Sequence, residues 1–248
     1  MKNTIAMSAA ALCLAACGAA RAAYPIETFR TPDGAEVKIT LIAHGCLCID
    51  YAGLNIQIDP VGNGFGMKND YSGFPKADFI FVTHEHGDHL DAKTIAALSK
   101  ESTKIYLNAK SRDTLGKGTS LANGDTVALG TNGVSVTAVP AYNTTPGREK
   151  FHPKGNGNGY VFDFNGFKVY VSGDTEDIPE LADLAGPDVA FLSVNQPYTM
   201  TPEQCVKAAS RLRPKTLIPY HLGNTDIQAI RSGFADGATE LRLFECLR

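Results

Sequence analysis

Short apolar runs separated by glycine-rich and polar turns recur along the chain, and their spacing predicts alternating strands and helices. Strands are predicted at Val37 to Ala43, Cys46 to Tyr51 and Asn55 to Asp59, with Ala52-Gly53 as a hairpin turn. Phe79 to Val82 reads as a short buried strand, Leu90 to Ser99 as a helix and Lys104 to Leu107 as the next strand, the order of a βαβ crossover. Asp125 to Leu129 and Val134 to Val139 alternate as a second group of strands. Asn165-Gly166 between two alternating runs is a two-residue turn signal, so Gly159 to Phe164 is predicted to pair antiparallel with Phe167 to Ser172. Strands at Asp188 to Ser193 and Lys215 to Pro219 then flank a helix ending near Leu212, which Thr201 caps, with Pro202 at the first helical position and Gln204 at the third. No internal repeat is evident.

The first 22 residues follow another pattern. Lys2 gives a positive start, and Ile5 to Ala16 is an apolar run too short to span a bilayer, so residues 1–22 are expected to be a signal peptide that is removed. Two exits compete. Leu14-Ala15-Ala16-Cys17 resembles a lipobox, which would leave a lipid anchor on Cys17, and Ala20-Arg21-Ala22 resembles an ordinary signal-peptidase site. The lipobox is favoured, because a cysteine directly after Leu-Ala-Ala arises less often by chance than a pair of alanines in an Ala-rich segment. The expectation is an exported protein, periplasmic or membrane-anchored, with residues 24–248 as one folded domain, since no stretch in the middle reads as a linker.

Composition narrows the partners. A formal net charge of −3 and a pI near 6.1 leave no basic footprint, which argues against nucleic acid and for a small-molecule substrate. Cys46 and Cys48 lie two apart on one strand and face the same side, so they are not expected to bridge. Cys205 and Cys246 could pair, although free thiols are the expectation for all four.

The chemistry concentrates in Thr83-His84-Glu85-His86-Gly87-Asp88-His89-Leu90-Asp91. Half of the chain's six histidines stand here with a carboxylate at a strand end, pivoting on Gly87, and can direct several lone pairs at one small volume, as a divalent metal requires. Elsewhere, His44-Gly45 and Asp59-Pro60 stand at strand ends. His44 could hydrogen-bond behind the ligands and Asp59 could fix the tautomer of a ligating imidazole; their plainer roles are a loop residue and a turn. Counting outward from Asn165-Gly166 sets Gly157 opposite Asp174 and brings His152 near the same end, over the flexible Gly155-Asn156-Gly157-Asn158-Gly159. His221 follows a strand as His84 does, and Tyr198 follows another, where it could donate to a substrate oxyanion.

The motif His84-x-His86-x-Asp88-His89 resembles the signature of the metallo-β-lactamase superfamily of hydrolases, and Ser172-Gly173-Asp174-Thr175 resembles its fourth motif. The stretch from Tyr198-Thr199-Met200 to Pro219-Tyr220-His221 looks like a subgroup with small bacterial metal-dependent hydrolases and ascorbate-phosphate lactonase-like proteins; the resemblance covers about residues 37–225. It implies a four-layer αββα sandwich and two metals, one held by His84, His86 and His152 and the other by Asp88, His89 and His221, with Asp174 between. Zinc suits such ligands, with manganese or iron as alternatives. The implied activity is attack by a metal-bound hydroxide, oriented by Asp88, on a small ester, lactone, amide or phosphodiester. Two other readings remain at this point: a mononuclear iron oxidoreductase acting on a thiol, and a metal-binding lipoprotein without turnover. The chain departs from many relatives at Pro140-Ala141-Tyr142-Asn143, where they carry a histidine. His152 is therefore expected to be the ligand and Asn143 to stand behind it or to face substrate.

Overall fold

The computed structural model describes residues 24–130, 133–184, 186–234 and 237–248. The expected signal peptide and Cys17 lie outside the described residues.

The first half of the chain supplies β1 (Ile26–Arg30), β2 (Glu36–Ala43), β3 (Cys46–Tyr51), β4 (Leu54–Ile58), a small hairpin of β5 (Asn63–Gly64) and β6 (Met67–Lys68), then β7 (Phe79–Phe81), helix α1 (Ala92–Leu98), β8 (Lys104–Leu107), helix α2 (Ala109–Leu115) and β9 (Thr119–Ser120). The second half supplies β10 (Thr126–Leu129), β11 (Val134–Ala141), β12 (Gly157–Phe164), β13 (Phe167–Val171), β14 (Val189–Ser193), helix α3 (Pro202–Leu212), β15 (Thr216–Tyr220), helix α4 (Ile227–Ser232) and β16 (Glu240–Leu241).

These strands form two seven-stranded sheets, β1-β2-β3-β4-β7-β8-β9 and β10-β11-β12-β13-β14-β15-β16. Both begin as an antiparallel meander of four strands and continue with three strands added in parallel. The halves thus share a topology that the sequence does not display as a repeat. Side-chain alternation explains the layering. Phe79 and Phe81 of β7 point into the core between the sheets, where Phe81 meets Tyr160 and Phe162 of β12 with ring centroids 5.1 Å apart in each case. Ile80 points the other way, to the outer cluster with Ile95 and Leu98 of α1. A strand buried on both faces reads as a continuous apolar run, and β7 does. On the far side α3 packs Cys205, Ala208, Ala209 and Leu212 against the second sheet. Helix, sheet, sheet, helix is the αββα sandwich.

Parallel strands present their carboxyl ends on one side, and ligand sites in such sheets form there. Asp59 follows β4, His84 to His89 follow β7, Asp174 follows β13, Asn195 follows β14 and His221 follows β15. The core places these loops side by side. The four cysteines among the described residues are free, so Cys205 and Cys246 do not pair.

Candidate metal centre

All six histidines converge at this edge. Three groups of side chains have donor atoms within 4.8 Å of one another: His84, His86 and His152; His44, Asp88, His89 and His221; and His84, His89 and Asp174. Asp174 joins the first two groups, since its Oδ2 lies 3.2 Å from His152 Nε2, 3.3 Å from His221 Nε2 and 3.8 Å from His84 Nε2, and its Oδ1 lies 3.4 Å from His89 Nε2.

The outer nitrogens are anchored in a way that fixes the inner ones. Asp59 Oδ2 accepts from His89 Nδ1 at 2.7 Å and from Thr83 Oγ1 at 2.7 Å. With its proton given to Asp59, the Thr83 hydroxyl is left to accept from His84 Nδ1 at 3.0 Å. His152 Nδ1 donates to the Tyr198 carbonyl at 3.1 Å. In all three imidazoles Nδ1 is engaged outward and Nε2 faces inward, where it offers its lone pair to a cation once the ring is neutral, as a hydrogen-bonding group behind a ligand arranges.

Burial makes those lone pairs costly without a cation. His89 Nε2, His152 Nε2, His221 Nε2 and Asp174 Oδ1 are all buried without a hydrogen-bond partner. Leaving one such group unpaired costs about 1–3 kcal/mol, and four facing one volume fit a bound cation. The spacing agrees. Ligands about 2.0–2.1 Å from a tetrahedral zinc stand about 3.3 Å apart, and His84 Nε2 lies 3.1 Å from His86 Nδ1.

The charges conform. Burial alone would raise Asp174, yet the imidazoles of His221, His89 and His152 hold its carboxyl well below the ordinary range. Burial would raise Asp88 also, and the neighbouring imidazoles of His221 and His44 bring it far below. Burial depresses His84 strongly, and His86 and His44 to a lesser degree. His89 goes the other way: burial would lower it, but Asp174, Asp59 and Asp88 together raise it to about 10.

Backbone strain gathers here as well. Seven described non-glycine residues have positive φ, and four of them, His44 at 53°, Asp59 at 45°, Phe65 at 50° and His221 at 52°, surround the centre. Such residues are held by their surroundings and mark functional sites. Gly173, at φ 60°, precedes Asp174; a Cβ there would lie 2.7 Å from the Asn158 carbonyl oxygen.

The remaining expected residues fall as follows. His44, expected behind the ligands, reaches Asp88 Oδ2 with Nε2 at 3.2 Å and lies over the His221 ring at a centroid distance of 3.7 Å, within ligand spacing and open to the cavity. Asn143 is buried: its Nδ2 donates to the Tyr198 carbonyl at 2.7 Å, the oxygen that also orients His152, its backbone N–H donates to the His152 carbonyl at 2.9 Å, and its Oδ1 has no hydrogen-bond partner. Tyr198 lines a cavity of about 570 Å³ over the centre, with Phe65, Phe151, Asn195 and Arg248.

Several supports were not foreseen. Glu85, between His84 and His86, points outward to Lys110 Nζ at 2.6 Å and Asn156 Nδ2 at 3.0 Å, tying the motif to the glycine-rich loop. These interactions overcome burial and lower its carboxyl to about 2. Glu176 is fully buried and accepts from the backbone N–H groups of Thr144 and Thr145 at 2.8 and 2.6 Å, fixing the turn that leads to His152. A charge between two histidines and a second acid two places after Asp174 were the available signals.

Comparison with known proteins agrees with this geometry. Residues 38–221 match the family model described as the beta-lactamase superfamily domain. The UPF0173 metal-dependent hydrolase of Thermococcus kodakarensis is 32% identical over 200 residues, spanning 75% of this chain and 84% of that protein. A crystal structure from Parabacteroides distasonis, provisionally named a metal-dependent hydrolase, is 49% identical, with a TM-score of 0.85 over 90% of this chain and 99% of that one. A metallo hydrolase from Ignicoccus hospitalis, at 23% identity and a TM-score of 0.71 over 86% of this chain and 96% of that one, shares the fold. The relatives do not single out the lactonase-like subgroup.

They do correct the expectation of export. The curated relatives are archaeal and bacterial proteins named only as metal-dependent hydrolases, and the family match starts at residue 38, so the likeness carries no secretion or lipid anchoring with it. The apolar, small-residue composition that suggested a leader is a weak signal beside that, and export is withdrawn. What the fold, the histidine cluster and the relatives share is the metal-centred scaffold: the chain belongs to the beta-lactamase superfamily, in the company of its metal-dependent hydrolases.

Proposed function

We propose that residues 24–248 form a hydrolase that cleaves a small ester, lactone, amide or phosphodiester at a centre of two divalent cations, with zinc as the metal. In this reading His84, His86 and His152 hold one cation, Asp88, His89 and His221 hold the other, and Asp174 is shared. The observation that carries it is the set of four buried, partnerless donor atoms converging on one volume. A cation pair bound there supplies a water acidified toward neutral pH and a counter-charge for the developing oxyanion.

The protein's own part is orientation. Asp59, Thr83 and the Tyr198 carbonyl lock three imidazoles with Nε2 inward. Asp88 is held by His44, so its carboxylate is fixed in orientation and would accept a hydrogen bond from the attacking water. The Tyr198 hydroxyl, at the cavity wall, donates to the substrate oxygen that gains charge. A net negative protein with no basic footprint suits a small uncharged or singly charged substrate better than nucleic acid.

The test is metal analysis with turnover across an ester, lactone, amide and phosphodiester panel. The expected result is two zinc ions per chain, no oxygen consumption, loss of turnover on chelation and its return with zinc. One iron per chain with thiol-dependent oxygen uptake would overturn the reading in favour of an oxidoreductase.

A further inference from the structure

Among the described residues three large apolar side chains are exposed, Ile26, Phe65 and Tyr198, and two of them line the cavity over the metal centre. Phe65 is the more exposed of the two, at 73%. It occupies the tip of the hairpin in which Asn63 pairs with Lys68 and Gly64 with Met67, leaving Phe65-Gly66 as a two-residue turn. Both turn residues have positive φ, 50° and 85°. Turns of that kind favour Asn-Gly, and a phenylalanine in the left-handed region is an outlier.

The ring carried by this strained backbone is not used to fill the core. It lies on the metal loop: a Cβ on Gly87, between His86 and Asp88, would stand 2.8 Å from Phe65 Cε2. On the His152 side of the same cavity Phe151 and Tyr198 meet edge to face at 5.1 Å. Aromatic surface thus flanks the approach to the cations, in a place where local turn preference and solvation both oppose it. A side chain kept against both preferences is best explained by a ligand that covers it.

We infer that Phe65, with Phe151, grips an aryl or similarly flat apolar group of a carboxylic ester substrate, so that the enzyme selects esters carrying such a group over short aliphatic ones. The inference rests on the proposed function and sharpens its substrate class.

The test is calorimetric binding of phenylacetate and acetate, product-like carboxylates, to the zinc-loaded protein, its Phe65→Asn and Phe65→Trp variants. Phenylacetate is expected to bind wild type about tenfold more tightly than acetate, the scale of an added aromatic contact. Phe65→Asn should bring the two within about threefold and Phe65→Trp should keep the preference. Because Asn accepts the left-handed turn, Phe65→Asn should also melt no lower than wild type, which separates loss of grip from loss of fold. Equal affinities in wild type, binding of neither anion, or an unchanged ratio in Phe65→Asn would each overturn the inference. A retained phenylacetate preference in a protein that hydrolyses nothing would overturn the hydrolase reading, and with it the ester as substrate, while the aryl grip of Phe65 stood.

Discussion

At the residue scale the centre depends as much on the groups behind the donors as on the donors. Asp59 is fully buried at φ 45° and spends both oxygens on Thr83 and His89. Replacing it with asparagine keeps the volume but removes the charge behind His89, and such changes lower metal affinity by about 10–100-fold. Zinc competition against a chromophoric chelator should show that loss in Asp59→Asn; an unchanged affinity would deny the carboxylate its role. The third imidazole gives a sharper contrast. His152→Ala is expected to lose about one metal per chain, while Asn143→Ala keeps both, because a neutral amide oxygen is a weak ligand beside imidazole and Asn143 Nδ2 is engaged by the Arg148 and Tyr198 carbonyls. The reverse pattern in elemental analysis would exchange their roles. Much of this was legible in sequence: the histidine motif announces itself by density, and the hairpin count from Asn165-Gly166 brings His152 toward Asp174. Phe65 was not legible, since one phenylalanine between glycines reads as a turn until its contact with Gly87 is seen.

At the scale of elements, the apolar pattern delimits what packs and is silent on what does not. The strands Cys46–Tyr51 and Lys104–Leu107 match their predicted bounds, because burial is nearly continuous along each of them. Helix α2 was missed because Ser111 is its only buried residue; it is specified by caps, Asn108 accepting from the Ser111 N–H and Gly116 in the left-handed region. Strand β1 was missed for a similar reason, lying at a sheet edge with alternate residues exposed. The turn from β13 to Asp174 is tight in a different sense. Gly173→Ala would strain φ at 60° and drive a methyl to 2.7 Å from the Asn158 carbonyl and 3.0 Å from Thr83 Cβ. The expected cost is about 1–3 kcal/mol, read as a lower melting temperature that zinc only partly restores. A variant as stable as wild type would show that this turn yields freely.

At the scale of the whole molecule, two sheets of the same topology meet through one core, and the centre lies where loops from both converge. His84, His86, Asp88 and His89 come from the first sheet, and His152, Asp174 and His221 from the second. A cation held by both ties the halves together, so chelation should lower the melting temperature, and added zinc should raise it with concentration as ligand linkage requires. Identical melting with and without chelator would mean that metal binding contributes nothing to the union of the sheets.

The most direct measurement is anomalous diffraction from crystals of the zinc-loaded protein, recorded on both sides of the zinc edge. Two peaks about 3.5–4 Å apart, one contacted by His84, His86 and His152, the other by Asp88, His89 and His221, and both by Asp174, are the predicted result. A single peak, or two that leave Asp174 uncoordinated, would contradict the shared centre.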